Sequence, residues 1–416
     1  MFSFKKVITV LTILSFSIAV FAQSTKTLDY FLTSARANSP VLNDYNNQRY
    51  SLKIDSLKML ADNGLQVTGN IDAMYAPVIK GWGYDNVLSN GQNLTSVIRV
   101  SKDLMGRENR NTRLADYSLG IRQLFNQSAV TELQLNRVVA EQYINTYSVQ
   151  QQYQVSQEII RLLQEEEIIL KKLTKNASFK QTDYLSFVVT LQQNQLTSKQ
   201  LYADWLNNYA TLNYLAGMVD TTLQKIAPPL LSDENFIPFE QSIYAESYQT
   251  DSLKLANDTK IIDFDYRPKL SAYADGGYMS SFPAKAYKNL GVSAGLLLTV
   301  PIYDGDKRKK TLQQKKLQQE TLSWYNKFER KQYEQQTLQI ESQISQYKQM
   351  IATANEQMKY AQTLIEATLR QLPTGDVKVT DFIVSISNYL NLKSSLIQYE
   401  INLYNLYNKL KYITLQ

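Results

Sequence analysis

The sequence predicts an α+β protein in which one order of elements, helix, strand, strand, long helix, break and helix, occurs twice. Three observations support this fold class: short segments of alternating polarity, two long stretches of helical periodicity, and echoes between the two halves. Residues 182–185 (Thr-Asp-Tyr-Leu) are echoed by residues 380–383 (Thr-Asp-Phe-Ile), 198 positions later. Several echoes at nearly one offset indicate an internal duplication.

The first structural repeat covers 23–217. Its first strand is recognised by alternation, because Leu65, Val67 and Ile71 share one face and mostly polar residues occupy the other. Helical periodicity then holds for about 70 residues, or about 105 Å at about 1.5 Å per residue. The predicted elements are a helix over 28–62, strands over 65–75 and 93–103, a long helix over 104–173, a break over 174–181 and a helix over 182–215.

A linker over 218–239, marked by Pro228 and Pro229, precedes the second structural repeat, which covers 240–416. Its second strand has the clearest alternation in the chain, with Leu297 as the one apolar residue on its polar face. The apolar face of that strand consists of Leu290, Val292, Ala294, Leu296, Leu298, Val300 and Ile302. The predicted elements are a helix over 240–262, strands over 268–279 and 290–303, a long helix over 305–370, a break over 371–379 and a helix over 380–413.

The last helix carries a heptad pattern. Its apolar residues alternate in spacing between three and four, which predicts left-handed supercoiling against neighbouring helices. They are Tyr389, Leu392, Leu396, Tyr399, Leu403, Leu406, Leu410 and Ile413.

Composition excludes several classes of function. The chain has no cysteine and no histidine, which rules out zinc sites built on those residues and histidine-based catalytic triads. No glycine-rich phosphate-binding loop is present, and acidic residues are not concentrated at one place. A net charge of +6 over 416 residues is too mild for a dedicated nucleic-acid surface. We therefore expect neither an enzyme nor a cofactor, metal or nucleic-acid partner.

The N-terminal residues predict export from the cytoplasm. Residues 7–21 form an apolar run, Lys5 and Lys6 precede it, and Val20-Phe21-Ala22 follows the small-residue cleavage pattern. This arrangement is typical of a secretory signal peptide over 1–22. The alternative, a membrane anchor, requires about 20 apolar residues.

Four strands with one apolar face each favour a membrane β-barrel over the alternative, the edge of a soluble β-sandwich. Even small barrels need about eight strands, and an open edge in lipid leaves backbone groups unpaired. Several chains must therefore pool their strands if these strands enter a membrane. Aromatic residues cluster near the strand-connecting loops, as a membrane interface requires: Tyr75, Trp82, Tyr84, Tyr278, Phe282 and Tyr287.

Two motifs resemble those of the TolC-like outer-membrane factors, and the resemblance extends over essentially the whole mature chain. Residues 267–270 (Arg-Pro-Lys-Leu) resemble the start of the first strand of a repeat in that family. Residues 300–305 (Val-Pro-Ile-Tyr-Asp-Gly) match its strand-to-helix motif, except that Asp306 replaces a second glycine. The corresponding segment of the first repeat, 100–104, lacks the proline.

The resemblance implies a homotrimer with a twelve-stranded outer-membrane β-barrel, continuous with a periplasmic coiled-coil barrel of helices. It further implies a passive, gated conduit in contact with outer-membrane lipid, with most of its mass in the periplasm. The implied partners are a periplasmic adaptor and an inner-membrane pump. The main alternative is that the chain is itself a periplasmic coiled-coil adaptor or scaffold, which should carry a lipoyl-like domain that is not recognisable here.

The two predicted helix breaks supply the candidate contact and gate residues. They are Lys175, Asn176, Lys180 and Asp183 in the first, and Arg370, Gln371, Gly375, Asp376 and Asp381 in the second. The alternatives are a simple turn at Gly375, and for Asp183 and Asp381 stabilisation of a helix N-terminus. Candidate lipid-facing residues are Val292, Leu296, Leu298 and Val300. The basic run 306–310 is interpreted as a solvated surface, with lipid headgroups as the alternative partner.

Overall fold

The computed structural model describes residues 25–85, 87, 91–176, 179–220, 222–231, 237–281 and 288–414. The predicted signal peptide over 1–22 lies outside the described residues, as do Phe282 and Tyr287.

Seven helices and four strands make up the regular structure of the described residues. In chain order they are α1 (Leu28–Asn38), α2 (Pro40–Asp62), β1 (Gln66–Tyr75), β2 (Gln92–Asp103), α3 (Arg107–Lys175), α4 (Gln181–Leu215), α5 (Ile243–Asp265), β3 (Lys269–Ser280), β4 (Leu290–Thr299), α6 (Lys307–Gln371) and α7 (Val379–Thr414). A single 3₁₀ turn, Phe239–Gln241, precedes α5. None of these helices has the length and apolar composition needed to cross a membrane.

The single helix expected over 28–62 is wrong, because the structure divides it into α1 and α2 at Ser39. Ser39 adopts an extended conformation with φ −73° and ψ 113°. Pro40 explains the interruption, since the proline ring excludes the helical conformation from the preceding residue. Proline is nevertheless favourable as the first residue of α2, where no hydrogen-bond donor is needed.

The four strands form one antiparallel sheet in the order β1-β2-β3-β4. The central pair, β2 and β3, comes from different repeats and is aligned by pairings such as Val100 with Ala274. The outer edges of β1 and β4 have no neighbouring strand within the described chain. The sheet therefore joins the two repeats and ends in two open edges.

Contacts divide the chain into two compact units that cut across the sequence repeats. The helical unit contains the described residues of 1–39, 133–236 and 336–414. The sheet unit contains 40–132 and the described residues of 237–335, including all four strands. Each unit thus takes residues from both repeats, and the long helices α3 and α6 contribute to both.

In the helical unit, α1 and the linker pack on α3 and α4. The ring of Phe31 lies 5.7 Å from that of Tyr143 and 6.4 Å from that of Tyr209. The amide of Gln150 pairs with the backbone of Ile226 in both directions, donating to its carbonyl at 3.0 Å and accepting from its N–H at 2.8 Å. This pairing satisfies backbone groups of a segment that has no regular structure of its own.

In the sheet unit, α5 lies between α3 and α6 and is joined to both by ion pairs. Lys254 of α5 contacts Asp116 of α3 at 2.6 Å. Asp258 of α5 accepts from Lys315 of α6 at 2.7 Å. Because these groups are partly exposed, each pair contributes only about 0–1 kcal/mol. Together they join α5 of the second repeat to α3 of the first repeat and to α6 of its own repeat.

Candidate functional site

The strand register separates the sheet into an apolar face and a polar face. The apolar face carries large side chains that no other part of the described chain covers: Val292 is 91% exposed, Ile71 80% and Leu296 70%. The apolar residues of this face are Val67, Ile71, Ala73, Tyr75, Leu94, Ile98, Val100, Leu270, Ala272, Ala274, Leu290, Val292, Ala294, Leu296 and Leu298, and the register also places Ser96, Lys102 and Tyr278 on it. A contiguous exposed patch of this kind indicates an interaction surface.

The polar face is organised around one ion pair. Arg99 on β2 donates to Asp275 on β3 through two parallel hydrogen bonds of 2.7 and 2.9 Å. The guanidinium group also lies 5.1 Å from the ring centre of Tyr273. That ring covers Gly295 of β4, where an added Cβ would lie only 2.6 Å from it. Glycine at this position therefore leaves room for the tyrosine ring.

The predicted lipid-facing residues fall on one face with one correction. Val292, Leu296 and Leu298 all lie in β4 on the apolar face. Val300 follows the end of β4 at Thr299, so the strand predicted over 290–303 is too long. Pro301 gives the physical reason, since proline has no N–H with which to continue the ladder.

Exposed aromatic side chains lie at the β1–β2 end of the sheet. Tyr75, Trp82 and Tyr84 are all exposed. Trp82 closes a tight turn in which it exchanges two backbone hydrogen bonds of 2.9 and 3.0 Å with Ile79. Lys80 and Gly81, with φ of 50° and 81°, provide the positive dihedral angles that such a turn needs.

The second helix break is a Schellman turn. Gly375 has φ 81°, and its N–H donates to the carbonyl of Leu372 at 3.2 Å. The N–H of Asp376 donates to the carbonyl of Gln371 at 3.2 Å. These two bonds satisfy carbonyls that the end of α6 leaves without helical partners. The local geometry of Gly375 is therefore that of a turn that ends a helix, which was the alternative considered for this residue.

Helices α4 and α7 begin with the same local geometry. The carbonyl of Lys180 accepts from the N–H groups of Asp183 and Tyr184 at 3.1 and 3.3 Å. The carbonyl of Lys378 accepts from those of Asp381 and Phe382 at 3.1 and 3.2 Å. Asp183 and Asp381 are thus each the third residue of a helix, where a carboxylate stabilises the N-terminal end of the helix dipole.

One buried cluster brings the two breaks together. Leu170 of α3, Phe187 of α4, Leu372 after α6 and Phe382 of α7 are all fully buried in it. The rings of Phe187 and Phe382 stack at 6.2 Å with an interplanar angle of 8°. Sequence reasoning missed this cluster, although the helical spacing of its members was a visible signal.

The charged residues at the breaks remain at the surface. Lys175, Lys180, Arg370, Asp376 and Asp381 are exposed, and Asp183 is half-buried. Asn176 and Gln371 are also exposed. Within the described residues no ion pair joins these charges. Asp376 instead accepts a hydrogen bond from the hydroxyl of Thr374 at 2.6 Å.

A buried carboxylate near the breaks was also missed. Glu166 occupies the core-facing stripe of α3 between Leu163 and Leu170, and burial, followed by repulsion from Glu165, raises its pKa. The neighbouring Glu167 instead accepts a hydrogen bond from the hydroxyl of Tyr184 at 2.9 Å. In the described part of the chain, no group of acidic residues is arranged to hold a metal ion.

Solved outer-membrane channels share this architecture. The chain superposes on VceC, an outer-membrane protein of Vibrio cholerae, with a TM-score of 0.74 at 11% identity, covering 93% of this chain and 95% of VceC. The chain has the fold of an outer-membrane channel. The open-state channel MtrE of Neisseria gonorrhoeae gives 0.73 at 11% identity, with 93% and 88% covered, and the channel OprN gives 0.74 at 12% identity, with 93% and 89% covered.

No protein-family model and no curated protein matches the sequence, so the similarity to these channels is one of structure. The likeness confirms the fold expected from the sequence motifs, a helical majority with one small antiparallel sheet.

The positive φ of Gly375 in the turn after α6 gives a testable prediction. Replacing Gly375 with alanine should lower stability by about 1–2 kcal/mol, because an L-residue is strained at positive φ. Gly106→Ala is the matched control, since Gly106 has no positive φ and no neighbour within 4 Å of an added Cβ. Thermal unfolding followed by circular dichroism measures both. An equal melting temperature for the two variants would contradict the strained-turn account.

Proposed function

We propose that the chain is the outer-membrane channel subunit of a tripartite export system, a passive gated conduit and not an enzyme. One observation carries the proposal: the sheet presents an exposed apolar face, a polar face and two open edges. Those are the features of a barrel segment with lipid on one side and water on the other. The fold shared with solved outer-membrane channels supports the same conclusion.

The open edges require more than one copy of the chain. Four strands are too few to close a barrel, and unpaired edges cost several kcal/mol per backbone group in hydrocarbon. Pairing β4 of one copy with β1 of the next removes both edges at once. Three copies supply twelve strands, so we propose a homotrimeric barrel.

The sheet unit has a second surface that requires a partner. Tyr50, Ile54 and Leu57 are exposed on α2 at the three- and four-residue spacing of a helix-packing stripe. Trp324 and Phe328 are exposed at the same spacing on α6. Neighbouring copies in a trimer would cover such stripes and would extend the barrel into a coiled-coil tunnel.

The apolar face faces outer-membrane lipid in this proposal, and the polar face lines the lumen. Exposed Tyr75, Trp82 and Tyr84 then lie at a membrane–water interface, where amphipathic rings are favoured. The helical unit lies in the periplasm in this proposal, and most of the protein's mass is on that side of the membrane. A periplasmic adaptor contacts the helix breaks, and an inner-membrane pump supplies the energy that the chain itself cannot supply.

The alternative of a periplasmic adaptor receives less support. The channel fold covers 93% of the chain, and that coverage includes both repeats. An adaptor would have no use for four strands that carry one continuous apolar face.

The oligomeric state is the first test. Purified in mild detergent, the mature chain should have about three times the monomer mass by light scattering, because only pooled strands close the barrel. A monodisperse monomer that keeps its β-sheet circular dichroism would overturn the channel proposal.

The assignment of faces is the second test. Leu296→Arg should destabilise the assembled channel by about 2–4 kcal/mol, the cost of a guanidinium near the bilayer midplane. Ser293→Arg is the matched control, since Ser293 lies three positions away on the polar face. The two variants are compared by the amount of trimer in the outer membrane, measured on unheated gels. Equal amounts would show that the faces are assigned wrongly.

A gate at the helix breaks is the third test. We propose that charges of opposite sign on adjacent breaks hold the periplasmic end shut between subunits. Each exposed pair contributes about 0–1 kcal/mol, but threefold symmetry repeats every contact. Arg370→Ser combined with Asp183→Ala should raise single-channel conductance in planar bilayers and sensitivity of cells to large antibiotics.

Lys359→Ser with Asp204→Ala is the control for the gate, because it removes the same charges from α6 and α4 away from the breaks. Wild-type conductance in the Arg370 and Asp183 variant, with the trimer intact, would leave these residues as helix caps and solvated charges.

A further inference from the structure

The sheet unit contains a cavity of about 530 Å³ where the strands meet the helices. It lies between the end of β2, the start of β3, the start of α3 and the end of α5. Sites for small organic molecules have volumes of about 300–1,000 Å³. The cavity is therefore large enough for a ligand of that class.

One wall of the cavity is apolar. Leu104, Phe264 and Leu270 contribute to this wall, and a backbone hydrogen bond of 2.8 Å from Leu104 to Leu270 holds two of them together. The guanidinium group of Arg267 lies 4.3 Å from the ring centre of Phe264. The wall thus offers a hydrocarbon surface with a cation directly beside it.

The charges around the cavity do not cancel. Four basic and two acidic side chains line it. Arg113 is paired with Asp265 outside the lining, and Glu108 lies 3.8 Å from Arg267. Asp103 accepts a hydrogen bond from Ser271 at 2.6 Å. Among the described residues, Arg107 and Lys269 form no ion pair, so two cations remain available for a bound anion.

The cavity lining takes Leu270 from the apolar face of the sheet, but its other strand residues come from the polar face. Asp103 pairs with Ser271, and Lys269 pairs with Thr299, and all four side chains belong to that face and line the cavity. If the proposed function is right, this face lines the lumen. The position of the cavity as a site on the export route rests on that proposal.

We propose that this cavity binds amphipathic organic anions, a phosphate or carboxylate joined to an apolar group, as they pass through the channel. Arg107 and Lys269 hold the anionic group, and the apolar part packs against Phe264 and Leu104. The motif Arg267-Pro268-Lys269-Leu270 gains a function in this way. All four residues of the motif line the cavity, and Pro268 disfavours a helical conformation at Arg267.

Binding of octyl phosphate to the full mature chain tests the proposal. The protein is placed in nanodiscs of phosphatidylcholine and titrated by calorimetry. We expect one octyl phosphate per protomer, with affinity that falls as salt is added, and at least tenfold weaker binding of octanol. Arg107→Gln with Lys269→Gln should weaken octyl phosphate binding at least tenfold.

Lys309→Gln with Lys310→Gln is the matched control, since it removes two exposed positive charges from the start of α6 without touching the cavity lining. It should change affinity less than twofold. Absence of saturable binding, or equal loss in both double variants, would overturn the site.

Two further measurements are needed. The first tells an exported anion from a lipid headgroup as the ligand of the cavity, and the second tests the channel proposal separately from the anion site. Replacing part of the phosphatidylcholine with phosphatidylglycerol should leave the affinity for octyl phosphate unchanged. A fall would assign the cavity to a lipid headgroup and overturn its role on the export route. Conductance in planar bilayers tests the channel independently. Absence of binding with conductance intact overturns only the site. Binding without conductance overturns the channel and the cavity's place on the export route, and leaves the anion site itself standing.

Discussion

The antiparallel pairing of β2 with β3 is the constraint on which the sheet and the contact between repeats depend. It joins residues far apart in sequence, such as Val100 and Ala274, and it brings the strands of both repeats into one sheet. Because side chains alternate along a strand, a register shift of one residue would exchange the two faces. The observed register keeps apolar residues on one face in all four strands, which makes a membrane role physically possible.

The helix breaks show how a duplicated sequence produces one structure. Helices α4 and α7 begin with the same hydrogen bonds at Lys180 and Lys378, so the duplication extends to local geometry. The buried core between them is not duplicated in the same way, because Phe187 and Phe382 stack without occupying equivalent positions. Local geometry therefore follows the repeat, whereas packing follows the need to fill one shared space.

Periodicity predicted the long helices and the faces of the strands, because one side of each must be buried or covered. It failed where a single residue overrides the period. Pro40 divides the first helix, because its ring excludes the helical conformation from the preceding residue. Pro301 follows the end of β4, because it has no N–H to continue the ladder. The burial of Glu166 was missed for a different reason. A charged residue in a helix is expected to face solvent unless the residues that pack against it are known.

The sequence by itself determined the order of elements, the alternation of the strands, the helix starts to within one residue of Gln181 and Val379, and the family resemblance. All of these depend on residues near one another in the chain. Only the tertiary structure decided that β2 lies beside β3, that Arg99 pairs with Asp275 across 176 positions, and that Arg107 and Lys269 share one cavity. Such contacts depend on strand register and helix packing between distant segments, which local periodicity does not encode.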